Sequence, residues 1–135
     1  MQSDPPTTLA TTLVSKKTIW AGCIVSALPV LMLVMSAVMK IMKPPAVVKG
    51  FADLGWPENL ALALATVELG CTVLYLIPRT SVLGAILLTG YLGGATAAHV
   101  RIGEQFAIPV ILGVLVWLGL YLRDARLRAL IPFRT

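Results

Sequence analysis

Four apolar runs decide what this chain can become: residues 18–39, 59–77, 81–100 and 106–122. At about 1.5 Å per residue each would reach roughly 26–33 Å as a helix, close to the thickness of a bilayer's hydrocarbon core. In hydrocarbon a backbone must satisfy its own N–H and C=O groups, so only helices and closed barrels cross a membrane. None of the runs sustains the apolar–polar alternation of a membrane strand. The pattern therefore predicts an all-α, polytopic membrane protein. Short connections after the second and third runs make those helices antiparallel neighbours, so an up-down-up-down bundle of four transmembrane helices is expected.

Composition agrees. Of 135 residues, 58% are hydrophobic and 13% charged, against about a quarter charged in soluble domains. Mean hydropathy is +0.89. The net charge of +5 comes mostly from Lys and Arg flanking the runs. These read as topology anchors and lipid-headgroup partners, not as a nucleic-acid surface. The polar residues 1–15 lack the basic-then-apolar pattern of a secretory signal and are expected to form a disordered tail. The membrane domain is placed at 16–130, with a short tail at 131–135.

The flanking charges also set an orientation. The N-terminus, the 78–80 turn and the C-terminus carry Lys16, Lys17, Arg79, Arg123, Arg126, Arg128 and Arg134. The opposite side carries Lys40, Lys43, Lys49 and Arg101. The positive-inside rule then puts both termini in the cytoplasm of a multi-pass cell-membrane protein. Residues 40–58, with Pro44 and Pro45, read as one long loop.

One residue breaks the second run near its centre. Glu68 would lie close to the bilayer midplane, where a charge costs at least a few kcal/mol. Such a carboxyl is ordinarily protonated, paired or turned toward a cavity. Helical spacing gives it a face shared with Ala61, Leu64, Ala65, Cys71, Thr72 and Tyr75, while Leu62, Leu69, Val73 and Leu76 point largely elsewhere. This smaller, more polar stripe is expected to face the bundle. Glu68 is either a structural carboxyl bonded to a neighbouring helix or a proton-exchanging group.

The third run carries Gly90 and Gly94 four residues apart, with Ala98 one step further. Small residues at this spacing let another backbone approach; alternatively they leave room for a flat ligand. Thr89, Tyr91, Thr96 and His99 add polar groups to the same helix. Lys40 closes the first run, where a lysine ordinarily snorkels to the interface; the alternative is an inward lean toward Glu68 or His99. The candidate set is thus Glu68 and His99 for proton transfer, with Lys40, Thr72, Tyr75, Gly90, Tyr91, Gly94 and Thr96 for ligand contact. Trp20, Trp56, Trp117 and Tyr121 read as interfacial aromatics.

Several chemistries are excluded. A single His99 cannot supply a site needing two or more histidines, and no metal site is expected. Cys23 and Cys71 form no CxxC motif and read as small buried hydrophobes. No GxGxxG, P-loop, HExxH or GxSxG motif occurs.

Together these pieces resemble the DoxX-like family of small four-helix membrane proteins. The resemblance rests on Ser36-Ala-Val-Met-Lys40, Phe51-Ala-Asp-Leu-Gly-Trp-Pro57, Val67-Glu68-Leu69 and Leu74-Tyr-Leu-Ile-Pro-Arg-Thr80. Its longest stretch is Leu83-Gly-Ala-Ile-Leu-Leu-Thr-Gly-Tyr-Leu-Gly-Gly-Ala-Thr-Ala-Ala-His-Val-Arg101, and Trp117-Leu-Gly-Leu-Tyr-Leu-Arg-Asp124 closes it. Ala37 stands where many relatives carry Gly. The resemblance implies the four-helix fold; some relatives are linked to a thiosulfate:quinone oxidoreductase and others to oxidative-stress complexes, but no residue set here transfers the thiosulfate activity.

Three functions remain open at this level. One is a redox-linked accessory that binds a lipophilic, quinone-like molecule and takes electrons from a partner protein. Another is a cofactor-free membrane enzyme using Glu68 as general acid or base on a hydrophobic substrate. The third is a non-catalytic assembly protein, homo-oligomeric or bound to another subunit.

Overall fold

A computed structural model describes residues 14–131 of the chain. Most of the expected tail at 1–15, and that at 131–135 except Ile131, lie outside the described residues. Within them the chain is helical: α1 (Lys16–Met42), α2 (Pro45–Asp53), α3 (Leu60–Leu76), α4 (Ser81–Arg101), α5 (Ala107–Arg123) and α6 (Ala125–Leu130).

Local chemistry sets the boundaries. Helix α1 runs past its apolar stretch and takes Lys40 into its last turn. Lys43 then turns left-handed (φ 49°), its N–H donates to the Met39 carbonyl, and Pro44 prevents continuation. Pro45 opens α2 at a position where a missing N–H costs nothing. The 40–58 connection is therefore not a plain loop but contains a nine-residue helix. Its Pro-rich start hid the alternation of Val47, Val48 and Phe51 against Lys49 and Asp53, which makes it amphipathic. Ile77 is extended ahead of Pro78, which ends α3. Asp124 accepts a hydrogen bond from the Arg126 N–H and caps α6.

The four long helices form a ring in which α1 contacts α3 and α5, and α4 contacts the same two. Close pairs fix the directions. Between α1 and α3, Lys40 meets Glu68 while Ser26 meets Tyr75. Between α1 and α5, Gly22 lies against Arg123 and Ser26 against Gly119. Sequence order rises on one helix as it falls on the other, so both pairs are antiparallel. The α2 end gathers the C-termini of α1 and α4 with the N-termini of α3 and α5.

Backbone approach depends on glycines that carry no obvious pattern. A Cβ added at Gly84 would stand 2.5 Å from the Tyr75 Cα, and one at Gly119 would stand 3.0 Å from the Ser26 N. At Gly90 and Gly94 an added Cβ meets nothing within 4 Å. The expectation that this pair seats another helix does not hold within the chain; the pair borders open space instead.

The large aliphatics that face outward, such as Ile24, Leu31 and Val114, are 61–67% exposed. A chain that buries small and polar residues while exposing these is arranged for an apolar surrounding. Helices α1 and α4 are long and apolar enough to cross a membrane. Helices α3 and α5, with 17 residues each, sit at the short limit.

Candidate functional site

Glu68 is 2% exposed, and the face predicted for it is the buried face of α3: Ala61, Ala65, Cys71, Thr72 and Tyr75 are buried with it. Its carboxylate has a specific partner. Lys40 Nζ lies 2.8 Å from Oε2, with the lysine side chain 16% exposed. Lys40 thus bends inward to Glu68 and does not snorkel. Extending α1 by a turn beyond the apolar run carries Lys40 to the level of Glu68. A carboxylate in so dry a place would otherwise cost far more than a lysine gains by reaching water.

Two of the three ammonium protons are engaged, one by Glu68 and one by the Ser36 hydroxyl a turn earlier on α1. Tyr91 of α4 completes the group: Lys40 Nζ is 5.8 Å from its ring centroid. At this distance the ring face attracts the ammonium.

These groups border a cavity of about 510 Å³ at the α2 end of the ring. That is within the range of small-molecule sites. Lys40, Glu68, Gly90, Tyr91, Gly94 and His99 line it, and Phe51, Leu54 and Trp56 of the 40–58 connection cover its outer part. The walls are otherwise mostly aliphatic. Arg101 donates to the Leu54 carbonyl and Lys43 pairs with Glu58 at 3.5 Å, which ties the cover to the helices. His99 Nδ1 is 2.7 Å from the Ala95 carbonyl oxygen. A carbonyl only accepts, so Nδ1 carries the proton and Nε2 is the ring nitrogen left for another partner.

Three expected residues do not line this cavity. The Thr72 hydroxyl donates to the Glu68 carbonyl one turn back. Tyr75 is wholly buried: its hydroxyl donates to the Val116 carbonyl at 2.8 Å and accepts from Ser26 at 2.9 Å. Arg123 stacks over the Tyr75 ring at 4.6 Å and donates to the Tyr75 carbonyl, so this arginine joins the bundle's packing instead of standing free as a headgroup anchor. Tyr75 is a pin between α1, α3 and α5. Thr96 borders a second cavity of about 630 Å³ between α4 and α5, almost wholly apolar. Trp117 lies there too, its indole N–H donating to Thr89 at 2.7 Å. That cavity is the larger, but no ionised side chain lines it, so the first is the candidate site.

Ser36 and Phe51 line the cavity although the residue pattern alone did not single them out, and Trp56, read as an interfacial aromatic, lines it as well. Ser36 lies four positions before Lys40, which is the signal that could have found it.

A model of the DoxX-like family matches residues 24–119. The chain belongs to the DoxX-like family. Lys40, Glu68, Tyr91 and His99 all fall inside the matched stretch, whereas α6 falls outside it. No curated protein and no solved structure matches the chain. With its two long apolar helices, this DoxX-like chain is a membrane protein.

Proposed function

We propose that this DoxX-like chain is a four-span, multi-pass protein of the cell membrane. It holds a lipophilic, quinone-like molecule in the cavity at the α2 end, as an accessory to a redox partner protein. The observation that carries the reading is the Lys40–Glu68 ion pair, which joins the last turn of α1 to the middle of α3 on the floor of a mostly apolar cavity. Buried ion pairs seldom add stability over apolar packing of the same volume, so a ligand-facing role gives this one a purpose. The outward stripe of aliphatics on all four long helices supports four spans. Orientation is supported too: with Lys40 and Arg123 both turned into the bundle, the α2 end keeps three basic residues against six at the other, which favours cytoplasmic termini.

The residues fit such a ligand. Lys40 keeps one N–H for a carbonyl oxygen, aliphatic walls suit a ring and tail, and Gly90 and Gly94 leave room for a flat body. A quinone, when bound, supplies two-electron chemistry that takes up protons, with the electrons delivered by the partner. The protein's part is to hold the carbonyl and move protons. Because Glu68 is almost without exposed surface, Lys40 is the group the ligand touches. Glu68 stands behind it as counterion and proton-exchanging group, 2.8 Å away.

The test uses Trp56, which lines the cavity. A decyl-substituted benzoquinone titrated into purified protein is expected to quench Trp56 emission saturably. Leucine at Gly94, where an added side chain meets open space, is expected to fill the cavity and abolish the saturable quench while the fold persists. Equal quenching in both proteins would contradict the proposal.

A further inference from the structure

The cavity's charge balance carries a statement about its ligand. Lys40 and Glu68 are the two ionised side chains among the described residues that line it. They face each other at 2.8 Å, so the floor has no net charge. His99 and Tyr91 contribute further polar groups. A ligand bearing a carboxylate or an ammonium would bring an uncompensated charge into this apolar space, and such a charge is strongly disfavoured.

We infer that Glu68 is the specificity-determining residue that restricts the cavity to uncharged lipophiles with a hydrogen-bond acceptor, and that it excludes fatty acids. The inference rests on the ligand-binding reading above and deepens it. Without Glu68, Lys40 would be a lone ammonium on the floor of a mostly apolar cavity, a natural seat for the head of an acyl carboxylate. With Glu68 in place the ammonium is already neutralised, and one free N–H remains for a neutral oxygen. Bilayers supply amphiphilic anions in abundance, so a site meant for a scarce neutral molecule needs such a filter.

The prediction has two reciprocal arms. Glu68→Gln leaves a net positive floor and should favour an anion; Lys40→Gln leaves a net negative floor and should favour a cation. Probes are a decyl-substituted benzoquinone, dodecanesulfonate as a permanently charged stand-in for a fatty acid, and dodecyltrimethylammonium. Each is added to the purified protein in nanodiscs, and occupancy is read by native mass spectrometry.

The wild type should prefer the quinone over either ion by about tenfold or more. Glu68→Gln should shift the sulfonate-to-quinone ratio up by about tenfold or more. Lys40→Gln should do the same for the cation. The wild type also tests the idea alone should either variant fail to fold. Equal wild-type affinity for quinone and sulfonate, or an unchanged ratio in the folded variants, overturns the filter while leaving the ligand site intact. A wild type that binds none of the three overturns both the filter and the site.

Discussion

Replacing Lys40 by methionine keeps the apolar stem of the side chain and removes the ammonium, with its charge and its hydrogen bonds to Ser36 and Glu68. The consequence follows from the two exposures. Glu68, at 2%, cannot recover hydration, whereas the Lys40 side chain retains 16%. Stranding one member of a buried pair costs about 3–5 kcal/mol. Lys40→Met should therefore destabilise the protein by roughly that amount. Glu68→Gln should cost less, about 1–3 kcal/mol, because its amide oxygen still accepts from Lys40 and Ser36 still holds the ammonium. The double variant Lys40→Met/Glu68→Leu removes both charges and should fall within about 1 kcal/mol of wild type or exceed it. The assay is reversible unfolding in mixed micelles, read as a double-mutant cycle. A Lys40→Met cost below about 1 kcal/mol, the range of exposed ion pairs, would refute the reasoning that this pair is buried and mutually dependent.

Other outcomes follow from the packing. Gly84→Ala, which drives a Cβ into the Tyr75 backbone, should cost about 1–3 kcal/mol; Gly90→Ala, with open space around it, should be neutral or stabilise by up to about 1 kcal/mol, both by the same unfolding measurement. Tyr75→Phe leaves the Val116 carbonyl and Ser26 hydroxyl short of a partner and should cost about 0.5–2 kcal/mol, with no loss of quinone quenching because Tyr75 is outside the cavity. Single cysteines at Asp53 and Arg126, in a Cys23/Cys71-free background, should react with an impermeant maleimide from opposite faces of sealed membranes; labelling of both from one face would contradict four spans.

Sequence projection placed the Glu68 face correctly because helical spacing fixes the angle around the axis. It does not fix which depth along that stripe is hollow. Thr72 and Tyr75 share the angle of Glu68 yet lie one and two turns toward the other end, where Ser26, Gly119 and Gly84 close the bundle. Lys40 was ambiguous because a lysine at the end of an apolar run has two reachable environments, and only the extra turn of α1 decides between them. The Gly90/Gly94 spacing was visible, but whether small residues admit a helix or a ligand depends on neighbours far away in sequence. Isolated Gly84 and Gly119, which do admit backbones, carried no pattern. Helix α2 was hidden by prolines that start it but equally well mark a loop.

The central claim is that the cavity floored by Lys40 and Glu68 holds a neutral lipophilic ligand. Mass spectrometry of wild-type protein and the Gly94→Leu variant, each purified from the membranes in which it naturally resides, tests this most directly. The wild type should carry an uncharged, carbonyl-bearing lipophile, near one per chain, that is missing from the variant. Phospholipid alone in both samples, or the same bound molecule at the same occupancy in both, would contradict it.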